Sequence, residues 1–163
     1  MASYTLKSTL AKRDLISAHD ILARVYALRG RDARGREAER YFDLALGEEK
    51  SIHALEAKGV APEKAQTPIS HEVLALIYAM RGDRASARTV LNGMVARPDV
   101  DAVSPAVLAE IYGTIGETAT AISYLRQAAS IKDRGLLYLK VDPLWDPIRN
   151  EAGYREILLT MRL

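Results

Sequence analysis

Apolar positions in the middle of the chain recur at helical spacing. Leu74, Ile77 and Tyr78 make one stripe and Leu108, Ile111 and Tyr112 another, the pattern of helices that bury one face at a period of 3.6 residues. Each stripe runs into a glycine, Gly82 or Gly116, able to take the left-handed conformation that stops a helix. A second apolar series comes at once: Ala87, Leu91 and Met94 after the first glycine, Ala121, Leu125 and Ala128 after the second. Asp83 and Glu117 stand at the beginning of these second series, where the positive end of a helix favours acid. Thr67-Pro68 and Ser104-Pro105 predict the starts of the first helices, a capping hydroxyl followed by proline where its missing N–H costs nothing.

The two helix pairs superpose at an offset of 34 residues without a gap. Leu74 falls on Leu108, Ala75 on Ala109, Ile77 on Ile111, Tyr78 on Tyr112, Gly82 on Gly116, Ala87 on Ala121 and Leu91 on Leu125. Ala75 and Ala87, like Ala109 and Ala121, are expected where two helices approach closely, because only small side chains leave room for it. A looser copy lies upstream, with Leu22, Ala23, Tyr26 and Gly30 as its first helix and Ala38, Phe42 and Ala45 as its second. Its corner, RGRDARGRE, is longer than the other two and is expected to be an enlarged loop after Gly30. The second helix of this copy is expected to continue to about Lys58 and end at Gly59, with a proline-containing loop to Gln66. An insertion of this kind on one face of a repeat array is often functional, and is as often a tolerated loop.

These residues resemble the tetratricopeptide repeat: the 34-residue period and the order Leu-small, Tyr, Gly, Ala, Leu, Ala are met in both copies, with Met94 standing where the family usually has alanine. The resemblance implies an all-α fold, a right-handed superhelical solenoid of antiparallel helix pairs. One domain over residues 1–163 is expected, with repeat-like units at about 16–58, 68–97 and 103–132 and a helical cap at about 134–163. In the cap, Gly135 to Lys140 suits a short helix, Asp142-Pro143 and Asp146-Pro147 break it, and Ile157, Leu158 and Met161 suit a closing helix. Trp145, Ile148 and Tyr154 are assigned to sealing the last apolar face. The run LKVDPLWDPIRNEAGYREIL is similar to the carboxy-terminal ending of tetratricopeptide arrays in bacterial multidomain signalling proteins.

Composition removes several chemistries. The chain has no cysteine, so disulfides, thiolate nucleophiles and cysteine-ligated metals are excluded, which suits a reducing compartment. Lys and Arg number 23 against 21 Asp and Glu, a formal charge of +2, so no global field points to nucleic acid or an anionic membrane. The amino-terminal stretch lacks the apolar core of a secretory signal, and Asp14 and Asp20 interrupt a weak transit-peptide pattern. No stretch approaches the ~20 apolar residues of a membrane span, and a cytoplasmic location is expected.

Candidate catalytic groups do not converge. His19, His53 and His71 are far apart, and His71-Glu72 lacks a second histidine at the spacing of a zinc-binding helix. Gly30 to Glu37 has the glycine spacing of a phosphate loop, but carries Arg-Glu where Lys-Ser/Thr is required and follows a helix instead of a strand. Asp142 and Asp146 beside proline read as turn formers. Arg24, Arg29, Arg31, Arg34, Arg36 and Arg40 surround the first corner with Asp32, Glu37 and Glu39, a solvated face laced with ion pairs before it is a phosphate or acidic-peptide site. No enzyme, cofactor or metal site is expected.

The expected function is that of a non-enzymatic interaction module or scaffold binding a peptide or helix of a protein partner in a concave groove. By the resemblance, the groove residues are Asp20, Arg24 and Leu28 in the first unit, Glu72, Leu76 and Met80 in the second, and Ala106, Glu110 and Thr114 in the third, with Leu76 and Met80 equally expected to pack against a neighbouring repeat, as apolar helix residues usually do. The Lys/Asn set by which chaperone-binding members hold a terminal carboxylate is missing from these positions. The alternative is a regulatory or homo-oligomerising part of a larger bacterial signalling or transcription protein, its first helix pair meeting another copy.

Overall fold

The computed structural model describes residues 2–60, 69–96 and 103–162, with side chains at 11–58, 69–96 and 103–162. All regular structure among them is helical: α1 (Ala2–Asp32), α2 (Gly35–Leu55), α3 (Ile69–Arg81), α4 (Arg84–Val95), α5 (Pro105–Thr114), α6 (Thr118–Ser130) and α7 (Ala152–Met161). A π-helical turn, Glu56–Val60, extends α2, and 3-10 turns span Arg134–Tyr138 and Pro143–Trp145. Two compact units are present, Met1–Ala102 and Val103–Leu163, and their boundary falls at the start of the repeat unit predicted at 103. The predicted helix start at Thr67-Pro68 and the loop from Ala61 to Gln66 lie outside the described residues.

In the first unit α1 and α2 pack along each other. α1 presents Ile16, Ala23, Ala27 and Gly30 to the interior, and α2 presents Phe42, Ala45, Glu49 and Ile52, both at helical spacing. The enlarged corner expected after Gly30 is a longer helix instead, because α1 continues to Asp32 and only Ala33 and Arg34 separate it from α2. Gly30 is a close approach, not a stop: a Cβ there would lie 2.9 Å from the Phe42 ring. The chain reverses at Gly35, whose φ of +58° is the left-handed value glycine tolerates. The second helix is prolonged as expected, α2 and the π turn running on to Val60 with Gly59 inside the turn. Glu56 in that turn binds the start of α3, its carboxylate accepting the Ile69 N–H at 2.6 Å and the buried Ser70 hydroxyl. The prolonged second helix thereby supplies a cap to the third.

The corners α3–α4 and α5–α6 are closed by the same pair of backbone bonds. Gly82 N–H reaches Ala79 O at 3.1 Å and Asp83 N–H reaches Tyr78 O at 2.9 Å; Gly116 N–H reaches Gly113 O at 3.1 Å and Glu117 N–H reaches Tyr112 O at 2.8 Å. This is the Schellman pairing, with φ of +83° at Gly82 and +85° at Gly116. Asp83 caps α4 by accepting the Ser86 N–H at 3.0 Å, and hydrogen bonding from Ser86 holds its exposed carboxyl below the usual range. Ala75, Ala87, Ala109 and Ala121 are all fully buried, the condition for close helix pairs.

The second unit is built on the apolar faces of α5, α6 and α7 and the chain between the last two. Its core contains Ala109, Ile122, Leu125, Leu139, Trp145, Ile148, Tyr154 and Ile157. Trp145 and Tyr154 are wholly buried with ring centroids 6.4 Å apart, so the residues expected to seal the last face are inside it. Tyr112 and Tyr124 stack at 5.5 Å between α5 and α6. Across residues 140–146 Arg149 adds side-chain bonds, donating to Lys140 O at 2.6 Å, Asp142 O at 2.9 Å and Asp146 Oδ1 at 3.0 Å. One guanidinium thereby ties two carbonyls and a carboxylate of this segment together.

Candidate functional site

The groove residues named from sequence separate by burial. Leu76 and Met80 are 2% and 7% exposed and Ala106 and Glu110 0% and 7%, so the apolar patch expected between Leu76 and Met80 is not open surface. The reason is the position of α3, which packs against α1, α2 and α4 within its unit and carries apolar residues all round, as an enclosed helix does. Ala106 is covered by the turn beyond α6, a Cβ on Gly135 meeting its Cβ at 2.7 Å. Asp20, Arg24, Leu28, Glu72 and Thr114 keep partly exposed side chains. Of these, Asp20 and Arg24 pair with each other at 2.9 Å, and the Thr114 hydroxyl donates back to Glu110 O at 2.8 Å. Leu28 edges a shallow hollow of about 420 Å³ with Val25, Arg29, Glu37 and Tyr41.

At the first corner, Arg31 pairs with Asp32 at 2.9 Å, and Glu39 is held by Arg81 of α3. Arg34, Arg36 and Arg40 edge an open hollow of about 850 Å³ together with Glu39 and Asp43, a mixed surface and not a cationic cradle. Between α1 and α2, His19 pairs with Glu48. Burial raises the Glu49 carboxyl above its ordinary range, against lowering by His53 and Lys50 and with a further rise from Glu56. Among the described residues no group of three or more His, Asp or Glu side chains is placed to hold a metal ion, and no helix is long and apolar enough to cross a membrane.

In the second unit a cleft of about 780 Å³ is bounded by α6, residues 132–137 and α7. Its floor is apolar: Ala129 from α6, Leu136 from the 3-10 turn, Ile157 and Met161 from α7. Volume and floor fall in the range of sites that take an apolar group with a few polar contacts around it. At one rim Arg126 of α6 bridges Glu156 of α7 at 2.9 Å. At the other stand Lys132 and Arg134, with Leu137 70% exposed beside them.

Local sequence explains why this rim is fixed. α6 ends in the same pairing as α3 and α5, Lys132 N–H to Ala129 O at 3.2 Å and Asp133 N–H to Ala128 O at 2.9 Å. Here, however, the left-handed position is Lys132, with φ of +54°, a conformation that costs a non-glycine residue roughly 1 kcal/mol or more. The neighbouring Asp133 carboxylate holds the turn in place. It accepts from Gly135 N–H at 2.8 Å, from the Ser104 hydroxyl at 2.7 Å and from Ala106 N–H at 3.4 Å. Arg126 and Glu156 balance each other, and Asp133, hydrogen-bonded to neutral donors, keeps its charge beside Lys132 and Arg134, so the cleft's lining carries a small positive excess. The cleft escaped the sequence reading because its one signal, a lysine in place of the corner glycine, is silent without backbone angles. No protein-family model, no curated protein and no solved structure matches this chain.

Proposed function

We propose that the chain is a non-enzymatic, tetratricopeptide-like interaction module that takes an apolar segment of a protein partner, flanked by acidic residues, into the cleft between α6 and α7. The observation that carries this reading is the combination in one cleft of an apolar floor (Leu136, Ile157, Met161) with a rim whose charges, Lys132 and Arg134 against Asp133 beside the balanced Arg126–Glu156 pair, leave a positive excess. An apolar anchor supplies most of the binding free energy of such a contact, and charge complementarity supplies orientation and selectivity. The recurrence of one helix pair and one corner at 34 residues supports the tetratricopeptide-like part of the reading. A peptide or helix of a partner remains the ligand class expected from sequence, and the cleft replaces the Leu76–Met80 patch as its seat.

The test is selection of ligands from a displayed peptide library on the full chain, followed by binding to Leu137→Glu and Arg134→Glu. Selected peptides should carry an apolar anchor beside Asp or Glu and lose about tenfold or more in affinity to either variant, the effect of removing about 1.4 kcal/mol. Ligands that are basic, or that bind the variants as they bind the original chain, would refute the reading.

A further inference from the structure

α1 is apolar on two opposite faces. One buries Ile16, Ala23 and Ala27 in the first unit. The other leaves Leu15, Ile21, Leu22 and Val25 exposed by 46%, 60%, 41% and 45%, with exposed Ala18 among them and half-buried Leu28 at the edge. Leu15, Ala18, Leu22 and Val25 succeed one another at i, i+3, i+7 and i+10, the spacing of a helix–helix seam. Scattered exposed leucines need no explanation, but a continuous stripe does.

Two charges, Asp14 and Arg29, bracket the stripe, and Asp32 beyond them is paired with Arg31. Asp14 and Arg29 are exposed, and neither has an ion-pair partner among the described residues. The point midway between them along the helix is the step from Ile21 to Leu22. If a second α1 is laid antiparallel across that point, Asp14 of each copy meets Arg29 of the other, Ala18 meets Val25, and Ile21 and Leu22 surround the two-fold axis. A surface that is its own complement about one axis is the requirement of an isologous dimer. A parallel arrangement would place Asp14 on Asp14 and Arg29 on Arg29, which like-charge repulsion disfavours.

We propose that the outer face of α1 is a homodimerisation surface: two copies of this chain pair through antiparallel α1 helices centred between Ile21 and Leu22, with reciprocal Asp14–Arg29 ion pairs closing both ends of an apolar seam. The seam, from Asp14 to Arg29, is about 22 Å long at 1.5 Å per residue. That is a contact at the small end of specific interfaces, so association is concentration-dependent. It uses no residue of the α6–α7 cleft, and each stands or falls without the other.

Sedimentation velocity of the full chain from about 1 to 500 μM spans the affinities such an interface reaches, and two charge reversals make the register testable. The unaltered chain should pass from monomer to dimer. Asp14→Arg and Arg29→Asp should each stay monomeric, since each homodimer then opposes like charges at both ends. An equimolar mixture of the two variants, and the double variant, should dimerise again. Because the chain has no native cysteine, Leu22→Cys gives a second readout that does not depend on the charge variants folding: it should form a disulfide-linked dimer under mild oxidation, whereas Leu159→Cys, also exposed but on α7, should not. A monomer throughout the range, a dimer indifferent to both reversals, a mixture that stays monomeric, or equal cross-linking at the two cysteines would overturn the proposal.

Discussion

Two glycine-to-alanine substitutions with opposite expected signs test the packing of each unit. Gly153 is the second residue of α7, and a Cβ there would lie 2.6 Å from Ile122 Cγ2 and 3.4 Å from Arg126 Nη2. Relaxed carbon–carbon contact needs about 3.5–4.0 Å, so about 1 Å must open. Ile122 is only 8% exposed, and in α6 its branched Cβ leaves essentially one rotamer, so α7 has to move. Overpacking of this kind costs about 1–3 kcal/mol, against which alanine returns at most about 1 kcal/mol of helix propensity. Gly153→Ala should therefore destabilise by about 1–2 kcal/mol. Gly47 in α2 has nothing within 4 Å of its missing Cβ, so Gly47→Ala should stabilise by about 0.5–1 kcal/mol. The single tryptophan, Trp145, is wholly buried in the second unit and reports on Gly153→Ala by fluorescence in urea, with circular dichroism tracking both variants. A Gly153→Ala chain as stable as the parent would refute the close packing of α7 on α6.

Ala109→Leu should cost about 1–3 kcal/mol by overpacking, since Ala109 is wholly buried between close helices; unchanged thermal melting would contradict it. Tyr154→Phe removes the hydroxyl that donates to the buried Leu139 carbonyl, in a site where burial already raises the phenol pKa. It should lower stability by about 1–3 kcal/mol in urea titration, the cost of an unpaired buried acceptor, and an unchanged stability would contradict this. Glu49 has its carboxyl pKa raised by burial, so the folded state binds this proton more tightly than the unfolded state. Its contribution is fully present below the unfolded pKa and is lost as pH rises through the folded one. Glu49→Gln should then be more stable than the parent near neutral pH, the gap closing on acidification to about pH 4; a gap independent of pH would contradict the assignment.

The fold was legible where one residue type serves one physical need. A tight helix corner needs a residue at positive φ, so Gly82 and Gly116 announced themselves together with the apolar series on either side. Gly30 misled because glycine also serves close approach, and nothing in sequence separates a stop from a place for the Phe42 ring. For Leu76 and Met80 the sequence allowed groove or packed core, and the structure takes the core: a helix with apolar residues on every side is enclosed, and α3 is flanked by three helices of its unit, two of them from the irregular first repeat. The cleft was illegible because Lys132 occupies a left-handed position without being glycine, sustained by the Asp133 hydrogen bonds to residues nearly thirty positions earlier. The two-fold pattern on α1, by contrast, is written in Asp14, Ile21, Leu22 and Arg29, and became readable only when α1 proved continuous from Ala2 to Asp32 with that face exposed.

The most direct measurement of the interaction reading is chemical-shift mapping of a library-selected peptide on the isotopically labelled full chain. Shifts concentrated at Lys132, Arg134, Leu137, Thr160 and Met161, around the cleft between α6 and α7, are the predicted result. Shifts centred instead on Asp20, Arg24 and Glu72, with the cleft residues unmoved, would contradict it.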